Sequence, residues 1–362
     1  MFTSSEMLTP AELGWDPYFE SLWQQSSPDE TPARVAAEYR GEYVVWTSRG
    51  EGVARLSGRF RHESGDDVAV AVGDWVALDA APDRDRVALI LRTLPRRTVI
   101  SRGAAGRETR EQVIAANVDR VFVVCGLDGD FNIHRIQRYL ALVYAGGAEP
   151  VVVLSKRDLC DDVQDRVSRV EAACPGATAR TISALCDVGL EDLRAHIEPG
   201  RTVALVGSSG AGKSTLVNAL VGGEVMATSE VREHDQRGRH TTTHRQMIVL
   251  PGGGLLIDTP GLRELQLTGD DGLDVAFADI AELAAECRFA DCRHETEPGC
   301  AVRAAIERGD LDADRFDHYV QLDREAKAYE RRHDVRAARQ AERAWGKMTR
   351  GGDAARRIKR GE

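Results

Sequence analysis

A glycine-rich segment in the middle of the chain carries the residues with the clearest chemistry. Residues 207–214 read Gly-Ser-Ser-Gly-Ala-Gly-Lys-Ser and follow the apolar run Thr202–Val206. When such a loop opens a helix, its backbone N–H groups and the helix N-terminus bind phosphate. We expect Lys213 to neutralise phosphate oxygens as a catalytic group and Ser214 to ligate Mg²⁺. The predicted nucleotide-binding residues here are Gly207, Ser208, Ser209, Gly210, Ala211, Gly212, Lys213, Ser214 and Thr215.

A second motif places a carboxylate at the end of another apolar run. Asp258-Thr259-Pro260-Gly261 follows Leu255–Ile257. In open α/β sheets, ligands bind at the carboxyl ends of the strands, where Mg²⁺ and a γ-phosphate would lie. We therefore predict that Asp258 holds Mg²⁺, through water, and that the Gly261 N–H contacts the γ-phosphate.

The segment between these motifs has the character of a switch loop. Residues 238–243 read Gly-Arg-His-Thr-Thr-Thr, and one threonine is expected to close onto Mg²⁺ when the triphosphate is bound. We assign Thr242 to this role, although spacing does not separate it from its neighbours. Three threonines in an ordinary polar loop are the alternative.

A third motif can read a nucleotide base. Ser155-Lys156-Arg157-Asp158 follows the apolar run Val151–Leu154. The Asp158 carboxylate can accept from the ring N–H and the exocyclic amine of guanine, a donor pair that adenine lacks. Lys156 can lay its stem across the base, whereas Ser155 stands where Asn is usual. The further loop Ser183-Ala184 would meet the guanine oxygen through backbone N–H groups, so the predicted base-binding residues are Ser155, Lys156, Arg157, Asp158, Ser183 and Ala184.

The order of these motifs is itself informative. The base-reading motif precedes the phosphate loop, whereas in most GTPases the phosphate loop comes first. This order predicts a circularly permuted GTPase. Two alternatives stay open: an ATPase or kinase with the same phosphate loop, and a zinc-containing RNA adaptor whose nucleotide is structural.

A cysteine- and histidine-rich segment follows the nucleotide motifs. Cys287, Cys292, His294 and Cys300 supply three thiolates and one imidazole within fourteen positions. Soft sulfur with one nitrogen in a closed set of four suits structural Zn²⁺. We therefore predict one structural zinc ion, with unrelated thiols or a redox pair as the alternatives.

The elements around these motifs indicate an α/β P-loop GTPase domain with a mostly parallel sheet, an N-terminal OB-like β-barrel and a C-terminal zinc-binding helical domain. Solid apolar runs alternate with helical patterns in the GTPase part, as in a sheet covered on both faces. The barrel is predicted from five short runs: Tyr43–Trp46, Val53–Leu56, Val68–Val70, Asp74–Leu78 and Val87–Leu91. The predicted units are an extension over 1–38, the barrel over 39–105, the GTPase domain over 112–275 and the zinc domain with a basic helix over 276–362.

Composition is that of a globular chain of 362 residues with a formal net charge of -10. Residues 331–362 are basic, with eleven Lys or Arg against four Asp or Glu. Such a tail can bind phosphate locally or be a solvated helix. No apolar run approaches the roughly 18 residues of a membrane span, and the first thirty residues lack a signal-peptide pattern. We expect a cytoplasmic protein without a membrane partner.

The conjunction of motifs resembles one family, the ribosome small subunit-dependent GTPase A family, RsgA. The resemblance rests on the permuted order, residues 238–243, Asp258–Gly261, the Cys/His pattern and the segment Val72–Val76 in the barrel. It implies hydrolysis of GTP to GDP and phosphate, with Mg²⁺ bound alongside GTP, stimulated by the 30S ribosomal subunit late in its maturation. It further implies that the barrel and the zinc domain contact ribosomal RNA, and we expect a monomer.

Hydrolysis needs a group that orients water, and the usual position lacks one. Leu262 follows Gly261 where many GTPases have glutamine, so slow intrinsic turnover is expected. We predict that His240 becomes the catalytic group when the ribosome positions its loop. A loop imidazole without a role is the alternative.

Overall fold

The computed structural model describes residues 8–24, 26–39, 41–64, 70–82, 86–103, 111–224, 245–258 and 271–331. The predicted residues His240, Thr242 and Gly261, and also Leu262, lie outside these ranges. Within them, an eleven-stranded sheet runs through two neighbouring units, a barrel and a nucleotide-binding α/β domain.

The barrel closes on itself through its first strand. Its strands are β1 (Thr31–Tyr39), β2 (Glu42–Thr47), β3 (Gly50–Leu56), β4 (Trp75–Leu78) and β5 (Ala88–Thr93). They pair in the order β1-β2-β3-β5-β4, and β4 pairs again with β1. Helix α2 (Gly58–Ser64) connects β3 to β4, while α1 (Pro17–Trp23) precedes the barrel. The predicted OB-like barrel is confirmed.

One predicted barrel strand, Val68–Val70, has no counterpart among the described residues, and a different segment supplies the fifth strand. Val70 belongs to no strand, and residues 68 and 69 lie outside the described ranges. The missing strand is β1, whose pattern is hard to recognise because its run of five buried positions includes Arg34 and Pro32 stands near its start. Because arginine is seldom buried, an arginine within a run of apolar residues is interpreted as a surface position.

The nucleotide-binding domain follows a hairpin of β6 (Val99–Gly103) and β7 (Glu111–Ala116). Its six strands lie in the order β10-β9-β8-β11-β13-β12, parallel except for β12, which is antiparallel to β13. The strands are β8 (Arg120–Gly126), β9 (Glu149–Ser155), β10 (Thr178–Thr181), β11 (Thr202–Val206), β12 (Gln246–Val249) and β13 (Leu255–Asp258). The helices are α3 (Ile133–Ala145), α4 (Val163–Ala173), α5 (Leu190–Arg194) and α6 (Lys213–Val221).

Both faces of this sheet are covered, as continuous apolar strands require. On one face, Phe122 and Leu205 pack with Leu216 of α6. On the other face, Val123 packs with Ile136 of α3. The predicted mostly parallel sheet between helix layers is confirmed.

Four helices lie at the C-terminal end of the described chain, and two of them, the first and the last, contact α3. They are α7 (Asp271–Ala276), α8 (Ala278–Ala285), α9 (Ala301–Arg308) and α10, residues 313–331. A Cβ at Gly272 would lie 2.0 Å from the carbonyl oxygen of Ala141, so α7 and α3 approach at a contact that only glycine allows. The buried Arg315 forms an ion pair with Asp279 and donates to the carbonyl oxygen of Ala173. Within the described ranges no helix is long and apolar enough to cross a membrane.

A buried arginine joins the barrel to the nucleotide-binding domain. The Arg34 guanidinium donates to the carbonyl oxygens of Leu13 (2.6 Å), Gly73 (3.2 Å) and Asn117 (3.0 Å) and to Thr202 Oγ1 (2.9 Å). Burial lowers the pKa of Arg34 to about 10, so the group keeps its charge. The sheet also continues across this junction, since Ala37 of β1 pairs with Gln246 of β12.

Three arginines at the end of the barrel form ion pairs within the chain. Arg92 pairs with Glu30, Arg96 with Asp74, and Arg97 with Asp16 and Asp119. These ion pairs engage the three arginines with carboxylates of the same chain, and the Arg97–Asp119 pair reaches the start of the nucleotide-binding domain.

Candidate nucleotide site and metal centre

The phosphate loop has the predicted strand–loop–helix setting. β11 ends at Val206 and α6 begins at Lys213. Gly207 has φ +149°, and a Cβ there would lie 2.2 Å from the carbonyl oxygen of Val124. Gly212 has φ +89°, which turns the chain into the helix. Glycine at these two positions lets the backbone form a tight cradle with its N–H groups at a helix N-terminus.

Lys213 lies over this cradle. Its ammonium group donates to the carbonyl oxygens of Gly207 (2.8 Å) and Ser208 (2.5 Å). Ser214 and Thr215 follow in the first turn of α6, and Ser209 and Gly210 are exposed at the loop tip. The loop therefore presents a cation, backbone N–H groups and hydroxyls to one small region, which suits a polyphosphate.

The first residue of the base-reading motif contacts the phosphate loop directly. Ser155 is buried at the end of β9, and its hydroxyl donates to the carbonyl oxygen of Ala211 at 2.6 Å. The same oxygen atom of Ser155 lies 3.4 Å from the carbonyl oxygen of Cys125. The motif is thereby fixed to the loop even though a short hydroxyl replaces the usual amide.

The second residue of the motif is held in an uncommon backbone conformation. Lys156 has φ +58°, and its ammonium lies 2.5 Å from Asp128 Oδ2. Burial raises the pKa of Asp128, but the hydrogen bond and charge of Lys156, together with hydrogen bonds from the backbone N–H groups of the loop, outweigh it and lower that pKa below its usual value. Asp128 thus stays ionised and keeps the lysine stem in place.

The two base-reading segments contact each other. Ser183 Oγ donates to Asp158 Oδ1 at 2.5 Å, and the Arg157 N–H donates to the carbonyl oxygen of Ile182 at 3.1 Å. Ala184 follows at the half-buried start of the next loop. Asp158 keeps Oδ2 to accept from a base, so the predicted guanine-reading carboxylate is oriented by the second predicted loop.

Asp258 ends β13 next to β11 and carries a buried, unsatisfied oxygen. Its Oδ2 atom is buried and has no hydrogen-bond partner among the described residues. Burial raises the pKa of Asp258 to about 6, and the charge of Lys213 opposes this rise. A buried carboxylate without donors suits a cation, so Asp258 and the Ser214 hydroxyl fit the Mg²⁺ that accompanies GTP.

The carboxyl ends of the parallel strands gather the motifs at one edge of the sheet. β9 ends at Ser155, β11 at Val206 and β13 at Asp258. Sequence reasoning missed Asp128 and Asp130, which lie in the loop after β8 at this same edge. No motif marks them, and their position next to an apolar strand was the only available signal.

The Cys/His segment forms a compact group of four ligand atoms. One ligand atom from each of Cys287, Cys292, His294 and Cys300 lies within 4.8 Å of the others. The Cys287 and Cys300 sulfur atoms are 3.9 Å apart, and His294 Nδ1 lies 3.6 and 3.4 Å from them. Tetrahedral Zn–S bonds of about 2.3 Å place two sulfurs about 3.8 Å apart. The group can hold one zinc ion.

Hydrogen bonds and backbone conformation place the four zinc ligands and favour ionisation of one thiol. Burial opposes ionisation of Cys287, but N–H groups of Val302 and Ala301, together with hydrogen bonds from Cys300 and Cys292, outweigh it and lower the pKa of this thiol. His294 adopts φ +59°, and Cys300 caps α9 by accepting from the Arg303 N–H. The loop between α8 and α9 is therefore shaped by ligand contacts rather than by a large apolar core.

The permuted motif order, the phosphate loop and the Cys/His group together define a circularly permuted P-loop GTPase with a C-terminal zinc module.

Comparisons with known proteins identify the family. The RsgA GTPase family model matches residues 93–268. A protein of Opitutus terrae named small ribosomal subunit biogenesis GTPase RsgA is 48% identical, over 97% of this chain and 99% of its own length. RsgA 2 of Vibrio parahaemolyticus is 47% identical over 87% of this chain and 85% of its own. The chain belongs to the RsgA GTPase family.

Solved structures agree with this assignment. YjeQ from Thermotoga maritima superimposes with a TM-score of 0.62 at 26% identity, covering 82% of this chain and 98% of that one. YloQ, described as a circularly permuted GTPase, gives 0.61 at 26% identity, covering 84% and 97%. The barrel, nucleotide domain and C-terminal helices therefore form an arrangement that is shared with known members of the fold.

Proposed function

We propose that this protein hydrolyses GTP to GDP and phosphate during maturation of the small ribosomal subunit. The observation that carries this proposal is the 2.6 Å hydrogen bond between Ser155 Oγ and the Ala211 carbonyl oxygen. It joins the guanine-reading segment to the phosphate loop, so both halves of a nucleotide can bind in one site. The ribosomal setting comes from the names of the relatives at 47–49% identity.

In this proposal each residue has a defined task. Asp158 accepts from the guanine N–H groups, while Ser183 fixes its orientation. Lys213 leaves the loop carbonyl oxygens and binds phosphate oxygens, a stronger partner because they carry full charge. Ser214 and Asp258 would hold Mg²⁺ together with Thr242, and the Gly261 N–H would contact the γ-phosphate; Thr242 and Gly261 lie outside the described ranges. When bound, Mg²⁺ neutralises the charge that develops on the phosphates.

The proposal includes activation by the ribosome. Leu262 cannot orient water, so the free protein should turn over slowly. We propose that the small subunit positions His240 as the missing group. Supplying such a group can be worth about 10⁵-fold in GTPases.

The wider assignments are also proposals. The barrel and zinc domain contact ribosomal RNA, the chain is a monomer, and it acts in the cytoplasm. The proposed units remain 1–38, 39–105, 112–275 and 276–362, with β1 completing the barrel from the first unit. The partners are GTP, GDP and the small subunit.

Phosphate release with and without purified small subunits tests the function. We expect slow release from GTP alone, strong stimulation by subunits, and little release from ATP. Lys213→Ala is the inactive control. Equal release from ATP would favour a general ATPase, and tight GTP binding without any release would favour a structural nucleotide in an RNA adaptor.

A further inference from the structure

A short loop between β8 and α3 contacts both halves of the nucleotide site. Its Asp130 Oδ2 accepts from Ser208 Oγ of the phosphate loop at 2.5 Å. Its Asp128 Oδ2 lies 2.5 Å from Lys156 Nζ of the base-reading motif. These two carboxylates, two residues apart, belong to no nucleotide-binding motif of the chain.

The loop is itself fixed at both ends. The Leu127 N–H donates to the carbonyl oxygen of Ser155 at 2.8 Å, and the Asp130 N–H donates to Asp128 Oδ1 at 3.1 Å. Asn132 caps the N-terminus of α3 by accepting from the Arg135 N–H at 2.9 Å. A loop held in this way can serve as a rigid support for its neighbours.

Two carboxylates beside a polyphosphate site would normally weaken anion binding. Each one here is paired with a cation, because Asp128 contacts Lys156 and Asp130 forms an ion pair with Arg135 of α3. The net charge of the two pairs is therefore close to zero. The carboxylates can hold a hydroxyl and an ammonium in place without opposing the phosphates.

We propose that Asp130 and Asp128 are positioning residues for guanine nucleotide binding. Asp130 fixes the start of the phosphate loop through Ser208, and Asp128 holds Lys156 at the base. Neither residue has to touch the nucleotide. The inference rests on the proposed function, because it assumes that GTP and GDP bind at this site.

The role of Asp130 is tested by a double-mutant cycle on GDP binding, measured with a fluorescent GDP analogue. Asp130→Ala and Ser208→Ala should each raise the GDP Kd about fivefold to tenfold, the worth of one well-made hydrogen bond. The double variant should lose no more than the larger single loss, because both changes remove one contact. Additive losses would overturn the role.

Two further variants sharpen this test. Asp130→Asn keeps an acceptor for Ser208 and should recover most of the affinity, which a purely charge-based role would not allow. If Asp130→Ala does not fold, Asp130→Ser takes its place in the cycle, and losses that add to those of Ser208→Ala overturn the proposal. Asp165→Ala, an exposed carboxylate on α4, is the matched control and should bind as wild type.

The role of Asp128 is tested in the same assay with Asp128→Ala, Lys156→Ala and their combination. We expect a similar loss from each single change and no further loss from the pair. Full additivity would show that Asp128 does not act through Lys156. If the wild-type protein fails to bind GDP, the proposed function fails; if it binds and both cycles are additive, only the positioning inference fails.

Discussion

The hydroxyl of Ser155 and the carbonyl oxygen of Ala211 form a hydrogen bond between two segments that lie 56 residues apart in the chain. Both groups are buried. If this hydrogen bond breaks, water cannot replace the missing partner of a buried donor or acceptor, so the contact is costly to break. The base-reading motif and the phosphate loop are therefore expected to order together.

Replacing Ser155 by Ala should weaken GDP and GTP binding by about fivefold to a hundredfold, because the Ala211 carbonyl oxygen loses a buried donor worth about 1–3 kcal/mol. Titration with a fluorescent GDP analogue measures the change. Ser168→Ala, at an exposed position of α4, is the control. Wild-type affinity in Ser155→Ala would mean that the two segments order independently.

The sequence predicted the parts of this site but not the contacts among them. Motif spacing placed Ser155 at the end of a strand and Ala211 in the phosphate loop, since strands and glycine-rich turns leave a strong local pattern. The bond between them depends on which strands become neighbours in the sheet. That information is non-local, and it also explains why Asp128 and Asp130 were missed.

Replacing Arg34 by Ala should destabilise the whole protein, since three carbonyl oxygens and the Thr202 hydroxyl lose their buried donor. We expect the free energy of unfolding to fall by about 3 kcal/mol or more. Urea unfolding measures it, and the exposed Arg49→Ala is the control. A change as small as that of the control would show that the junction contributes little to stability.

Removal of zinc should unfold the loop between α8 and α9. The region has few buried apolar residues beyond Cys300, Val302 and Ala305, so metal binding is expected to supply much of its folding free energy. Chelation, or Cys292→Ser, should abolish stoichiometric zinc and increase hydrogen exchange over 286–308. The control Cys186→Ser, at an exposed position, should retain one zinc ion per chain and the wild-type rate of hydrogen exchange over 286–308. Full zinc content in Cys292→Ser would contradict the assigned ligand set.

The zinc ligands show where sequence reasoning works well. All four predicted side chains meet because they lie within one short segment, where spacing alone restricts geometry. The barrel shows the opposite case. Its first strand was overlooked because Arg34 points into the interior, and the burial of that arginine depends on acceptors from four distant segments.

Acid should destabilise the packing of α10 on α3 through His318. The imidazole is buried against Gln137, with Nδ1 2.6 Å from Oε1, and stacks on His134 at 4.3 Å. Burial, then the charges of His134 and Arg138, lower the pKa of His318 to about 4, while Asp314 and Glu325 oppose this shift.

The unfolded chain therefore takes up a proton near pH 6.5 that the folded chain takes up only near pH 4. Stability falls as the pH drops through this window, by at most about 3 kcal/mol from this group. His318→Gln should reduce the pH dependence of the free energy of unfolding between pH 6.5 and 4. The exposed His62→Gln should leave it unchanged, and an equal slope in both variants would contradict the assignment.

His240→Ala should separate binding from stimulated hydrolysis. Because the histidine is proposed to act only in the ribosome-bound state, the GDP Kd should stay within about twofold of wild type, well below the cost of a lost hydrogen bond. Phosphate release in the presence of small subunits should fall to the unstimulated rate. If stimulation is unaltered in His240→Ala, His240 has no role in the mechanism. Lys213→Ala is the comparison, because it should lose the phosphate site itself as well as stimulated hydrolysis.

Strand β12 has neighbours in two domains, because it pairs with β13 of the nucleotide domain and with β1 of the barrel. A rotation of the barrel would have to break that shared edge and the buried Arg34 contacts. The two domains therefore meet any large partner as one inflexible body. When a partner binds the barrel, the GTP pocket therefore lies at a fixed distance and angle from the partner's surface. The way the barrel binds can thus determine whether the pocket faces the groups that activate hydrolysis.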